Sequence, residues 1–179
     1  GDKFVVDSKG VGDINGDGFS DIVITILDTS TNEFSLSNYN LLISYGSLSG
    51  LSEPALITSF SIPTNDPFIY NPPPLVSPAG DVNGDGYGDF FYAAYDRDNN
   101  FNLYGFSNIY YGSSVGITSY NQTSIFETPV NNSFGKQISS AGDVNGVGFS
   151  DVLVASENKV YCYYGSSKGL PLYPNWTVT

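Results

Sequence analysis

The sequence predicts an all-β protein made of three four-stranded antiparallel blades of a β-propeller, and three observations predict it. An acidic phrase occurs three times, as GDINGDGFSD (Gly12 to Asp21), GDVNGDGYGD (Gly80 to Asp89) and GDVNGVGFSD (Gly142 to Asp151). A second phrase follows each copy: YGSLSGL at Tyr45, YGSSVGI at Tyr111 and YGSSKGL at Tyr164. Between them lie short β-branched and aromatic runs bounded by Gly, Asn, Ser and Pro, the pattern of strands joined by turns. No long stretch carries apolar side chains at helical spacing with a cap. The acidic phrases begin 68 and 62 residues apart, at Asp13, Asp81 and Asp143, a period suited to a unit of several strands.

Each repeat divides into four strands in the same order. In the first, strand A (about Phe4 to Gly12) enters the acidic loop and strand B, DIVITIL from Asp21, leaves it. Strand C, about Asn40 to Tyr45, ends in the YGS phrase, and strand D follows the Gly-Leu turn at about Ala55 to Phe60. DFFYAAY and NIYYG supply the matching runs in the second repeat, and DVLVAS and KVYCYYG in the third, whose strand D is placed around Trp176. The blades are residues 1–62, 63–129 and 130–179. Tandem four-stranded units of this kind build propellers. Between strands B and C the first two repeats carry polar insertions, DTSTNEFSLSNYN (Asp28 to Asn40) and DRDNNFNLYGFSN (Asp96 to Asn108). They are expected to be loops, either a binding face for a protein or glycan ligand or simply solvated connections.

Composition narrows the function. Eighteen acids face six bases, for a net charge of −12. Such a chain cannot neutralise a row of phosphates, so neither nucleic acid nor an anionic membrane surface is a partner. No run is long and apolar enough to insert in a membrane as a helix. Histidine is absent, which removes Ser-His-Asp and Cys-His catalysis and imidazole-bound zinc. The single Cys162 stands where the other repeats have Ile43 and Ile109, and is expected to be a small core side chain. The chain begins at Gly1 and contains no methionine, so it reads as a processed product or part of something longer.

The acidic loop looks built for a divalent cation. Asp13, Asn15, Asp17 and Asp21 occupy positions 1, 3, 5 and 9, with the Phe19 carbonyl at position 7. The second loop repeats the set as Asp81, Asn83, Asp85, Tyr87 and Asp89. Hard, all-oxygen donors of this number suit Ca2+. Without a cation, two like charges about 4 Å apart repel by roughly 4 kcal/mol at an effective dielectric near 20. An EF-hand needs an acidic position 12 and flanking helices; position 12 here is Ile24, Tyr92 or Val154, within a strand. An Asn-Gly or Asp-Gly hairpin turn that binds nothing is the other reading, but such a turn needs one pair rather than three alternating aspartates. In the third loop Val147 replaces the position-5 carboxylate, leaving Asp143, Asn145, Asp151 and the Phe149 carbonyl as a weaker site. Calcium is expected to be structural here. Weak calcium modules fill only in calcium-rich surroundings, which favours an extracellular or cell-surface setting. Sequons at Asn121, Asn131 and Asn175 suit a secreted glycoprotein, or arise by chance in a chain rich in Asn, Ser and Thr.

These residues resemble the FG-GAP repeats of integrin α-type propellers, in the form found in bacterial surface proteins. SFGKQISSAGDVNG (Ser133 to Gly146) is similar to the family's entry into strand A and its acidic loop, and YGSxxGL to the end of its third strand. The first repeat has Phe4-Val5 and the second Pro72-Pro73 in place of Phe134-Gly135, and ITIL, YAAY and VAS replace the GAP segment. The resemblance implies calcium-loop propeller blades and a role in adhesion or assembly, without integrin-type ligand recognition. Three blades do not close a ring. Completion is expected from further blades of a longer parent chain or from another copy, in a closed ring or a filament. The functional expectation is a non-enzymatic, calcium-stabilised module. The alternatives are a carbohydrate-binding propeller, suggested by 14 tyrosines and 12 phenylalanines, or a non-catalytic part of a polysaccharide-active enzyme.

Overall fold

A computed structural model describes residues 2–29, 36–63, 74–97, 103–118, 120–125 and 134–179. They form three four-stranded antiparallel sheets, with no helix among the described residues. The first sheet runs β1 (Lys3–Gly12), β2 (Asp21–Asp28), β3 (Leu36–Ser44), β4 (Ala55–Pro63) in spatial order. The second is β5 (Leu75–Gly80), β6 (Asp89–Arg97), β7 (Leu103–Tyr110), β8 (Gln122–Ile125). The third is β9 (Gln137–Gly142), β10 (Asp151–Ala155), β11 (Val160–Tyr163), β12 (Trp176–Val178). Each is a meander of consecutive strands, the order expected from sequence, and the sheets meet chiefly through their first strands β1, β5 and β9.

The polar insertions are a correction. Their composition predicts loops, yet β3 begins at Leu36 and β7 at Leu103, inside them. Leu27 pairs with Tyr39 and Asp28 with Asn38, while Arg97 pairs with Leu103. The insertions lengthen the hairpin arms because backbone pairing does not depend on apolar side chains, and Tyr39 supplies an apolar anchor. Its buried ring stacks on Phe60 at 5.5 Å. Residues 30–35 and 98–102, and Pro72-Pro73 at the second entry, lie outside the described residues.

Alternation along the strands creates two apolar layers rather than one. Val23, Leu41 and Ile43 of the first sheet meet Phe90, Tyr92 and Tyr110 of the second. From its other face the second sheet sends Phe91, Ile109 and Tyr111 against Val152, Val154 and Tyr163 of the third. The middle sheet is therefore covered on both faces, which is why FFYAA reads as an unbroken apolar run rather than an alternating one. Within the first layer Phe90 stacks on Tyr110 at 5.0 Å and Phe60 meets Tyr92 edge-on at 5.0 Å.

Glycine acts at two points of each repeat. Gly12, Gly80 and Gly142 adopt positive φ at the bulge where the first strand turns into the acidic loop. The glycines of the YGS phrase serve close approach instead. A Cβ on Gly112 would run into the carbonyl oxygens of Gly88 and Ile14, and one on Gly165 into those of Ser150 and Val82. Backbone atoms of two sheets cannot yield there. Gly112→Ala is expected to lower the urea denaturation free energy by about 2–3 kcal/mol, as overpacking does. Gly10→Ala, in open space, should cost less than about 0.5 kcal/mol.

Candidate metal centre

Between β1 and β2 the first acidic loop folds around its own side-chain oxygens. Asp13 Oδ1 accepts the amides of Gly16 (2.7 Å) and Asp17 (3.1 Å), and Oδ2 accepts that of Gly18 (2.8 Å). Asn15 Oδ1 takes the Asp17 amide and Asp17 Oδ1 the Phe19 amide. Asn15 Nδ2 donates to Asp17 Oδ2 at 3.0 Å, so positions 3 and 5 touch. Asp81, Asn83 and Asp85 reproduce these bonds in the second loop, down to Asn83 Nδ2 on Asp85 Oδ2 at 2.9 Å. In the third, the amide of Val147 bonds Asp143 Oδ1 and Asn145 Oδ1, and that of Gly148 bonds Asp143 Oδ2. The fold of the loop thus does not depend on a position-5 carboxylate. What Val147 removes is charge, and the acceptor that holds the position-7 amide. Asp143 is fully exposed, and the Gly148 amide bond leads in holding its carboxyl below the usual range.

The sequence casts the position-9 aspartates only as the closing members of the metal set, and the structure gives them a framework role. Asp21, Asp89 and Asp151 are fully buried. Through Oδ2 each accepts the position-2 amide of its own loop, from Ile14, Val82 and Val144 at 2.8, 2.8 and 2.9 Å. Through Oδ1 each accepts the amide of the YGS glycine, Gly46, Gly112 or Gly165, at 2.8, 2.9 and 2.8 Å. The two recurring phrases of the sequence are therefore one structural device. Its signal was their joint recurrence, which composition and spacing alone did not turn into a contact. Burial pushes the Asp89 carboxyl up to about 7 against the pull of the Gly112 and Val82 amides, with Asp85 and Asp81 adding to the rise. Asp21 moves the same way, chiefly through burial, with Asp17 and Asp13 also raising it.

A second missed role belongs to position 7. The sequence assigns Phe19, Tyr87 and Phe149 through their carbonyls, yet two of the rings bridge sheets. Tyr87 of the second loop packs over Gly16 of the first, and Phe149 of the third over Gly84 of the second. Beside each ring, the position-8 amide reaches the previous loop: Gly88 donates to the Asp13 carbonyl (2.7 Å) and Ser150 to the Asp81 carbonyl (2.9 Å). Ser113 and Ser166 donate likewise to the carbonyls of Ile14 and Val82, both at 3.0 Å. The acidic loops are thus the joints between sheets as well as hairpin tips.

The acidic loops carry hard oxygen donors, the kind that suit a hard cation. Each of the first two loops holds two exposed or half-exposed carboxylates and an amide oxygen on a few residues of backbone, beside the buried position-9 carboxylate. An oxygen that accepts one amide keeps a lone pair free. Among the described residues no group of three or more Asp, Glu or Cys side chains is placed to hold a metal ion; the loop carboxylates are turned on the loop's own amides.

Cys162 is buried, as the sequence predicts, its thiol pushed up by burial and by Asp151. Many aromatics behind the carbohydrate alternative, among them Tyr39, Phe90, Phe91, Tyr92 and Tyr163, are buried between sheets. Asn121 and Asn175 lie on exposed backbone, where Asn121 Nδ2 donates to the Tyr111 carbonyl and Asn175 Oδ1 accepts the Tyr164 amide. Asn131 falls outside the described residues. Compared with models of known protein families and with curated proteins, the sequence matches none.

Proposed function

We propose that the three sheets are consecutive blades of a β-propeller of the FG-GAP kind, stabilised by Ca2+ at the first two acidic loops. In this reading the chain is a non-enzymatic module for adhesion or structural assembly in an extracellular or cell-surface setting. The observation that carries it is the repetition of one oxygen-rich loop, bond for bond, at the joints between sheets. Asp13, Asn15, Asp17, Asp21 and the Phe19 carbonyl would hold one ion; Asp81, Asn83, Asp85, Asp89 and the Tyr87 carbonyl a second. Asp143, Asn145, Asp151 and the Phe149 carbonyl form a poorer third set because the Val147 side chain carries no oxygen. A bound ion supplies positive charge that cancels carboxylate repulsion and ties each hairpin tip, and so each joint, in one geometry.

The test is a calorimetric titration of chelator-stripped protein with calcium chloride. Two sites are expected at low millimolar affinity or better. Asp13→Ala and Asp81→Ala should each abolish one of them. Absence of saturable heat, or a stoichiometry that neither substitution changes, would falsify the calcium reading.

A further inference from the structure

We propose that Asn145-Gly146, in the third acidic loop, is a site of spontaneous deamidation, set apart from the same dipeptide in the other two loops by the loss of the position-5 carboxylate. Every acidic loop carries asparagine before glycine, as Asn15-Gly16, Asn83-Gly84 and Asn145-Gly146. Asparagine is among the thermolabile side chains, and a glycine after it offers a backbone nitrogen that no Cβ shields.

The chemistry is an internal substitution followed by hydrolysis. The glycine nitrogen attacks asparagine Cγ, and the new C–N bond closes a cyclic imide as the Cγ–Nδ2 bond breaks. The proton of the glycine amide leaves with Nδ2, which departs as ammonia. Water then adds to one of the two imide carbonyls and reopens the ring. Opening at Cγ leaves aspartate; opening at the main-chain carbonyl leaves isoaspartate, with the chain routed through Cβ.

Two groups must come free before the ring can close, the glycine N–H and asparagine Nδ2. In the first loop Gly16 donates its amide to Asp13 Oδ1 at 2.7 Å, and Asn15 Nδ2 donates to Asp17 Oδ2 at 3.0 Å. In the second, Gly84 donates to Asp81 Oδ1 at 2.6 Å and Asn83 Nδ2 to Asp85 Oδ2 at 2.9 Å. All four bonds end on carboxylates, which strengthens them.

The third loop follows the same backbone course, with φ of 74°, 73° and 72° at Gly16, Gly84 and Gly146, but it lacks the same hold. The Val147 side chain offers Asn145 Nδ2 no acceptor, and among the described residues that nitrogen has none. Asp143 Oδ1 bonds the Val147 amide at 3.0 Å, and the Gly146 amide pulls on Asp143 less than those of Gly148 and Val147 do. One tether remains, the Val147 amide on Asn145 Oδ1 at 3.1 Å, and the other loops have it too. Nucleophile and leaving group are therefore both looser here, for a reason that lies within the loop. An aspartate at position 145 would join Asp143 and Asp151 as a third carboxylate, the number that Asp13, Asp17 and Asp21 give the first loop. Deamidation by that route returns to the loop the charge that Val147 takes from it.

The test holds the whole chain in warm, mildly alkaline buffer with chelator and sequences its peptic peptides by mass spectrometry over time. Conversion at Asn145 should run at least about fivefold ahead of Asn15 and Asn83, the factor that one hydrogen bond is worth. In urea the three sites should convert alike, because their neighbouring residues are nearly the same. Val147→Asp should slow Asn145 to the rate of the other two, and Asp85→Val should speed Asn83 by the same factor. Both positions are exposed, and circular dichroism melts check that the fold is kept. Equal rates in the folded chain overturn the proposal, as do a preference for Asn145 that persists in urea or substitutions that leave the rates unchanged. No calcium is present, so the outcome is separate from the titration above. Deamidation at Asn145 in a chain that binds no calcium sinks the calcium reading alone, and an inert Asn145 in a chain that binds two ions sinks this inference alone.

Discussion

Asp89→Ala should lower the unfolding free energy by about 2–4 kcal/mol at pH 5, measured by urea denaturation in chelator. The substitution strands two buried amides, those of Val82 and Gly112, which Asp89 accepts at 2.8 and 2.9 Å. Each buried donor left without a partner costs about 1–3 kcal/mol. Asp89→Asn keeps one acceptor and should fall between alanine and wild type. The two variants also share a pH signature. The folded carboxyl titrates near 7 because burial opposes its charge, while the unfolded value is 3.8. The native state therefore binds the proton more tightly than the unfolded chain. Stability is fully present below pH 4 and is lost as pH rises through about 7, after which this contribution is level. A shift of that size corresponds to on the order of 4 kcal/mol. Wild type in chelator should show this decline and both variants should lack most of it. A loss under about 0.5 kcal/mol for Asp89→Ala at pH 5 would show that the bridge between the two phrases carries little of the fold.

Strand identity and strand order were legible because they depend on local chemistry: DIVITIL and KVYCYYG alternate or saturate with β-branched and aromatic side chains, and the two repeated phrases mark the turns. The acidic loop was legible for the same reason, since its glycines and acids lie within ten residues. What escaped was contact between units. Asp21 meets Gly46 across 25 residues, Asp89 meets Gly112 across 23 and Asp151 meets Gly165 across 14. Unequal separations hide a contact that is geometrically the same, because the intervening hairpin arm changes length without moving its ends. The Tyr87 ring over Gly16 was equally hidden. Nothing in one repeat's sequence says that its aromatic serves its neighbour. The polar arms of β3 and β7 were misread as loops because sequence reports side chains, while the hydrogen bonds that extend those strands belong to the backbone.

Calcium should raise the melting temperature of the wild-type chain by about 6–11 °C over the chelated protein. At ten times its dissociation constant one ion adds about 1.4 kcal/mol, and two occupied loops add about twice that. In a domain of this size each kcal/mol moves the midpoint by about 2–4 °C. The third loop makes the electrostatic origin of this shift testable by a change of sign. Its backbone already adopts the loop geometry around Asp143 and Asn145, and Val147 is exposed, so Val147→Asp meets no packing obstacle. In chelator the added carboxylate sits near Asp143 in an exposed loop, where repulsion of about 1 kcal/mol is expected, so the variant should melt below wild type. With calcium it completes the set found in the first two loops; the ion's contribution of about 1.4 kcal/mol outweighs the repulsion of about 1 kcal/mol, so the variant should melt about 1–2 °C above wild type. Asp85→Val makes the opposite exchange and should forfeit about half of the wild-type calcium response. If Val147→Asp shifts the melt in the same direction with and without calcium, repulsion relieved by a cation is not what organises these loops, and the repeated aspartates serve only as acceptors for the amides beside them.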